Sequence, residues 1–122
     1  MEASAYHSLA ARDLQRGLGT ELPSGESVAR ALGVEPLTAR ELGIPAWHGE
    51  TPLWLYILRE AAVQGGGNRL GEVGGRIVAE VLVGIIAHDP ESYLVNEPSW
   101  RPTLPSHEHG LLRIRDLLIP AE

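Results

Sequence analysis

The sequence predicts a mainly α fold, with several short helices, two longer buried helices and an irregular Pro-rich C-terminal arm. Three observations carry this reading. Strand-like alternation never persists for more than a few residues, helix stop signals recur at short intervals, and two segments are apolar around nearly their whole helical circumference. Fourteen Gly and nine Pro keep most helices short and the connections numerous.

The opening helix is predicted from Ala3 to Arg16. Good helix formers there place Leu9, Ala10 and Leu14 on adjacent faces, and Gly17 and Gly19 end the run. Leu22-Pro23 turns the chain, after which Ser24 or Ser27 caps a short helix through Leu32 that stops at Gly33. A second miniature uses Thr38 as its cap, Glu41 three residues on, and Gly43 as terminator. Helices this short need a surface to lie on.

From Thr51 the pattern strengthens. Thr51 is the expected cap, Pro52 the first helical position, and Leu53-Trp54-Leu55-Tyr56-Ile57-Leu58 leads a helix to Gln64 that is apolar on nearly every side. Gly65-Gly66-Gly67-Asn68 reads as a flexible break. It lacks the preceding strand and following Lys-Ser/Thr of a phosphate loop. A second long helix is predicted from about Leu70 to His88, with Val73, Ile77, Val81, Leu82, Ile85 and Ile86 forming a wide apolar stripe. Gly74, Gly75 and Gly84 would admit another backbone or a cofactor edge. Asp89-Pro90 ends that helix, the stretch from Asn96 to Pro105 is the irregular arm, and Leu111 to Ile119 holds a last short helix. Two helices apolar all round exceed what one- and two-turn helices can cover, so a partner surface is implied. Residues 1–122 read as a single region.

A formal net charge of -6, with ten arginines scattered from Arg12 to Arg115, offers no basic stripe, so neither nucleic acid nor an anionic membrane surface is an expected partner. Without Cys there is no disulfide framework, thiolate nucleophile or Cys-ligated zinc. The first residues lack the basic and long apolar regions of a signal peptide, and the apolar run from Ile77 to Ala87 is broken by Glu80 and too short to span a bilayer. A cytoplasmic protein is expected.

Asp13 and Arg16 lie three apart on one helix face, where the plain reading is a solvated ion pair. Ser106-His107-Glu108-His109 places two His at i and i+2 but signals no third ligand, and His7, His48 and His88 stand in unrelated contexts, so the tract reads as a surface loop. Glu60 and Glu80 sit within apolar helices and read as capping groups or as partners of Arg59, Arg69 or Arg76, rather than as acid-base catalysts. No Ser-His-Asp arrangement emerges from order or spacing.

The run Leu9-Ala10-Ala11-Arg12-Asp13-Leu14-Gln15-Arg16-Gly17, followed by Leu22-Pro23-Ser24-Gly25, resembles the animal-type haem peroxidase superfamily, especially its bacterial branch, which is related to cyclooxygenase-like enzymes. Its pattern is Leu-Ala-x-x-Asn-x-x-Arg-Gly, then a short loop to Leu-Pro. Thr51-Pro52-Leu53-Trp54, the stretch from Leu70 to Val81, and Ser92-Tyr93-Leu94 look like the C-terminal part of the same proteins, and Trp100-Arg101-Pro102-Thr103-Leu104-Pro105 looks like their closing arm. The similarity runs in the family's order from about residue 8 onward.

What the resemblance implies is the C-terminal portion of a larger haem peroxidase-like fold. The family's distal His, distal Arg and iron-ligating proximal His lie upstream and have no counterpart here, so haem and its ligand are expected on a larger partner chain in a heteromer. By position Asp13 would accept the N–H of the proximal His and Arg16 would lie near a haem propionate. Asp13 stands where Asn is usual, and a carboxylate acceptor would make that imidazole a more electron-rich ligand. The implied function is a small subunit of a haem-dependent peroxidase- or oxygenase-like oxidoreductase acting on a small molecule, and inactive alone. The alternative is a non-catalytic helical scaffold or regulatory module that has lost haem.

Overall fold

Ser8 opens the first helix by accepting the Ala11 N–H on its hydroxyl at 3.3 Å. The computed structural model describes residues 8–108 and 111–119. Within them the order is α1 Leu9–Gly19, α2 Gly25–Ala31, α3 Leu53–Gly65, α4 Glu72–His88, α5 Tyr93–Asn96 and α6 Ile114–Leu118. The described residues contain two isolated β-bridges, Ser24 with Pro52 and Glu108 with Leu111, and no strand. The mainly α class is therefore correct. Ala3 to His7, where the first helix was expected to begin, fall outside the described residues. At its other end α1 runs through Gly17 to Gly19, because Thr20 closes it with a hydroxyl bond to the Arg16 carbonyl at 2.8 Å.

Two compact units divide the chain, Met1–Val81 and Leu82–Glu122, and α4 passes through the boundary. In the first unit, Ser24 caps α2 by accepting the Ser27 N–H at 3.1 Å, and Gly33 follows the helix with φ 71°. Thr38 and Glu41 form the reciprocal capping pair, with Thr38 N–H to Glu41 Oε2 at 2.8 Å and Glu41 N–H to Thr38 Oγ1 at 3.3 Å. Only turns follow, because Ile44 precedes Pro45 and the chain cannot stay helical there.

Thr51 does not cap α3. It is buried, and it gives its N–H and hydroxyl to Glu26 at 2.8 and 2.7 Å, so Pro52 takes the N-cap position and the helix starts at Leu53. α3 packs on α1 and α2. At the α2 contact Gly25 abuts the Tyr56 ring, where an added Cβ would lie 2.0 Å from Cγ. Tyr56 is fully buried and its hydroxyl accepts the Leu37 N–H at 2.9 Å. Ala29, Leu42, Tyr56 and Val73 form the core, flanked by Val28, Leu32, Val34, Leu37, Ile44 and Ile77.

The three-glycine segment is an ordered cap rather than a flexible break: Gly66 adopts φ 60°, and the Gly67 N–H returns to the Ala61 carbonyl at 3.0 Å. α4 then begins at Glu72. Glu60, buried on α3, starts it by accepting the Val73 and Gly74 N–H groups at 3.0 Å each. Gly74 lies against Ile57, as a position suited to close approach should, whereas Gly84 meets open space.

The expected burial of both long helices on several sides is not found. α3 buries only Tyr56, Glu60 and Ala61, and α4 only Val73 and Gly74. Val78, Val81, Leu82, Val83, Ile85 and Ile86 are exposed, Ile85 at 65%. The small helices cover one stripe and carry too little apolar surface for more. Glu80 pairs with Arg76 at 2.8 Å across one turn. In the second unit the Tyr93 and Trp100 rings meet edge to face at 5.6 Å and 60°. Among the described residues no helix is long and apolar enough to cross a membrane.

Candidate functional site

In the first unit, a cavity of about 430 Å³ is walled by the middle of α1 and the first turn of α3. α1 presents Asp13, Leu14, Gln15, Gly17 and Leu18. Leu53 and Trp54 come from α3, and Trp47 and Leu22 from the connecting turns. The walls are chiefly apolar.

Two acidic residues line this cavity, and their circumstances differ. Glu50 is fully engaged: it accepts the Ser24 hydroxyl, the Arg30 guanidinium and the Ser27 hydroxyl, the last at 3.1 Å. The Ser24 bond, followed by those from Arg30 and Ser27, holds its carboxyl below the usual range. Its backbone carbonyl also accepts the Trp47 indole N–H at 3.3 Å. Asp13 is half-buried and has no hydrogen-bond or ion-pair partner among the described residues.

Arg16 is exposed and does not line the cavity. The expected Asp13–Arg16 surface pair is not formed, so α1 holds both residues without joining them. None of the described histidines lines the cavity either. His48 is exposed, His88 Nδ1 meets the Gly84 carbonyl at 2.8 Å, and His107 Nδ1 meets Asp116 Oδ1 at 2.6 Å. His7 and His109 lie outside the described residues. Among the described residues no group of three or more His, Asp or Glu is placed to hold a metal ion.

The His107 partner, Asp116, belongs to the second unit. Its Oδ2 accepts the Arg113 N–H at 2.8 Å and its Oδ1 accepts the His107 backbone N–H at 3.1 Å, so the Ser106-to-Glu108 tract is a loop pinned to α6. The Arg113 amide bond and then the His107 ring bond lower the Asp116 pKa to about 2.

Trp47, Trp54 and Glu50 were not singled out as site residues in the sequence. A signal existed, since aromatics make up only 5% of the chain and two of its three Trp fall within eight positions. The Glu50 network escaped because its partners lie 20 to 26 residues away. Comparison with protein-family models, curated proteins and solved structures gives no match to this chain. Chemically, the cavity offers chiefly apolar walls with Gln15, Ser24, Glu50 and Asp13 as its polar residues, and Asp13 alone of its two acids is without a partner among the described residues.

Proposed function

We propose that this chain is a small subunit or C-terminal portion of a haem-dependent peroxidase-like oxidoreductase, inactive by itself, and that it surrounds an iron-ligating imidazole supplied by a larger partner chain in the cytoplasm. The observation supporting this reading is Asp13, which lines a chiefly apolar cavity and has no partner among the described residues. That is the place at which the family resemblance puts the acceptor for the proximal N–H.

The residues present fit a supporting role toward haem rather than a ligating one, because the described residues lining the cavity include an acceptor, Asp13, and no histidine. Haem, bound through the partner, would supply oxidation chemistry with peroxide or oxygen on a small-molecule substrate. Asp13 would fix the imidazole's tautomer and orientation and raise its basicity. The apolar walls of Leu14, Leu18, Leu53 and Trp54 would exclude water from that hydrogen bond. Arg16, exposed on the same helix, would be free to pair with a propionate carboxylate. The exposed stripe on α4 is consistent with an interface to the larger chain.

The competing reading is a helical scaffold without haem, which the position of Arg16 outside the cavity favours. Co-expression with a chain that carries the haem-ligating histidines separates the two. The proposal expects a stable complex with a Soret band that neither the small chain alone nor a mixture lacking the partner shows. A stable complex reconstituted with haem but devoid of a Soret band supports the scaffold.

A further inference from the structure

We propose that the cavity between α1 and α3 is a binding site for amphipathic organic cations, small molecules with an aromatic or branched hydrocarbon body and one protonated nitrogen. The volume of about 430 Å³ falls within the range of about 300–1,000 Å³ common to small-molecule sites. Leu14, Leu18, Leu22 and Leu53 give the hydrocarbon body its surroundings. Trp47 and Trp54 add indole rings, whose faces attract cations.

Charge selects the cation. Asp13 lines the cavity and has no partner among the described residues, while Glu50, the second acid, is paired with Arg30 and hydrogen-bonded by two serine hydroxyls. Among the described residues no basic side chain lines the cavity to compete for Asp13, and a net charge of -6 favours the approach of cations. A neutral ligand of the same shape would gain the apolar contacts and leave the carboxylate unsatisfied. This inference uses the same carboxylate as the proposed function, so a free ligand and the partner's imidazole would exclude one another.

Calorimetric titration of the full chain with 1-naphthylmethylammonium and with its neutral counterpart 1-naphthalenemethanol tests it. Binding at one site is expected, with the cation favoured about tenfold, as one charge-assisted hydrogen bond provides. Asp13→Asn should bring the cation to the affinity of the alcohol and leave the alcohol unchanged. Gly17→Leu should abolish binding of both, since Gly17 lines the cavity and an added Cβ there finds only ordinary contact with Leu22 at 3.7 Å. Equal affinity of the two probes for the unaltered chain, no binding of either, a cation preference that survives Asp13→Asn, or binding that survives Gly17→Leu would each overturn the proposal. Cation binding by a chain whose complex shows no Soret band removes the haem reading alone. A Soret band in the complex with no cation preference in the free chain removes this one alone.

Discussion

Glu60 on α3 holds the first turn of α4: its two carboxylate oxygens accept the N–H groups of Val73 and Gly74, one each, at 3.0 Å. The bond pair is buried and joins helices across the three-glycine turn, so the connection is set by one side chain as well as by backbone geometry. Replacement by Ala leaves two buried donors without acceptors.

Glu60→Ala should therefore destabilise the chain by about 2–4 kcal/mol, and Glu60→Gln by less, since one oxygen acceptor remains. Urea unfolding measures both. A shift under about 0.5 kcal/mol for the Ala variant would show that water replaces the carboxylate at α4.

Gly25→Ala should cost about 1–3 kcal/mol or more, because the new methyl would lie 2.0 Å from Tyr56 Cγ and the ring is fixed by burial. Tyr56→Phe should cost about 1 kcal/mol by removing the acceptor of the Leu37 N–H. Thermal unfolding of the two variants checks the ranking.

These two positions show why local signals carried the elements further than the site. Ser24, Gly33, the Thr38–Glu41 pair and Gly43 announce turns and caps through bonds that close within a few residues, and they were read from the sequence. The sequence marks Glu60 as a capping or pairing residue, and Glu80 likewise, but the N–H groups that Glu60 caps lie 13 and 14 residues on and periodicity does not name them. The Gly25–Tyr56 contact and the capture of Thr51 by Glu26 depend on how α2 meets α3. The Trp-walled cavity is assembled in the same way. Apolar patterning pointed to surface in excess of what the chain can cover, yet not to the stretch of α4 that remains exposed.

In the second unit, Asp116 predicts an acid-sensitive region. Its folded pKa of about 2 lies below the ordinary 3.8, so the stabilisation is fully present above about pH 4 and is lost as pH falls through about 2. Protection of the amides across residues 111–118, taken relative to the intrinsic exchange rate at each pH, should fall over that window, and Asp116→Asn should flatten the response. Exchange independent of pH-driven opening in the unaltered chain would contradict the assignment.

The exposed apolar stripe of α4 should make the chain self-associate when it is expressed without a partner. Sedimentation velocity should show concentration-dependent growth that Leu82→Glu together with Ile85→Glu suppresses, with helical content retained.

If Asp13 accepts the N–H of an iron-ligating imidazole on the partner chain, as proposed, the ferric/ferrous midpoint of the assembled protein depends on its charge. Asp13→Asn nearly conserves shape, so haem content should hold while the loss of negative charge reduces donation to iron. Spectroelectrochemical titration should find a higher midpoint in the Asn variant than in the unaltered complex. Equal midpoints at equal haem occupancy would place Asp13 away from the iron ligand and contradict the account.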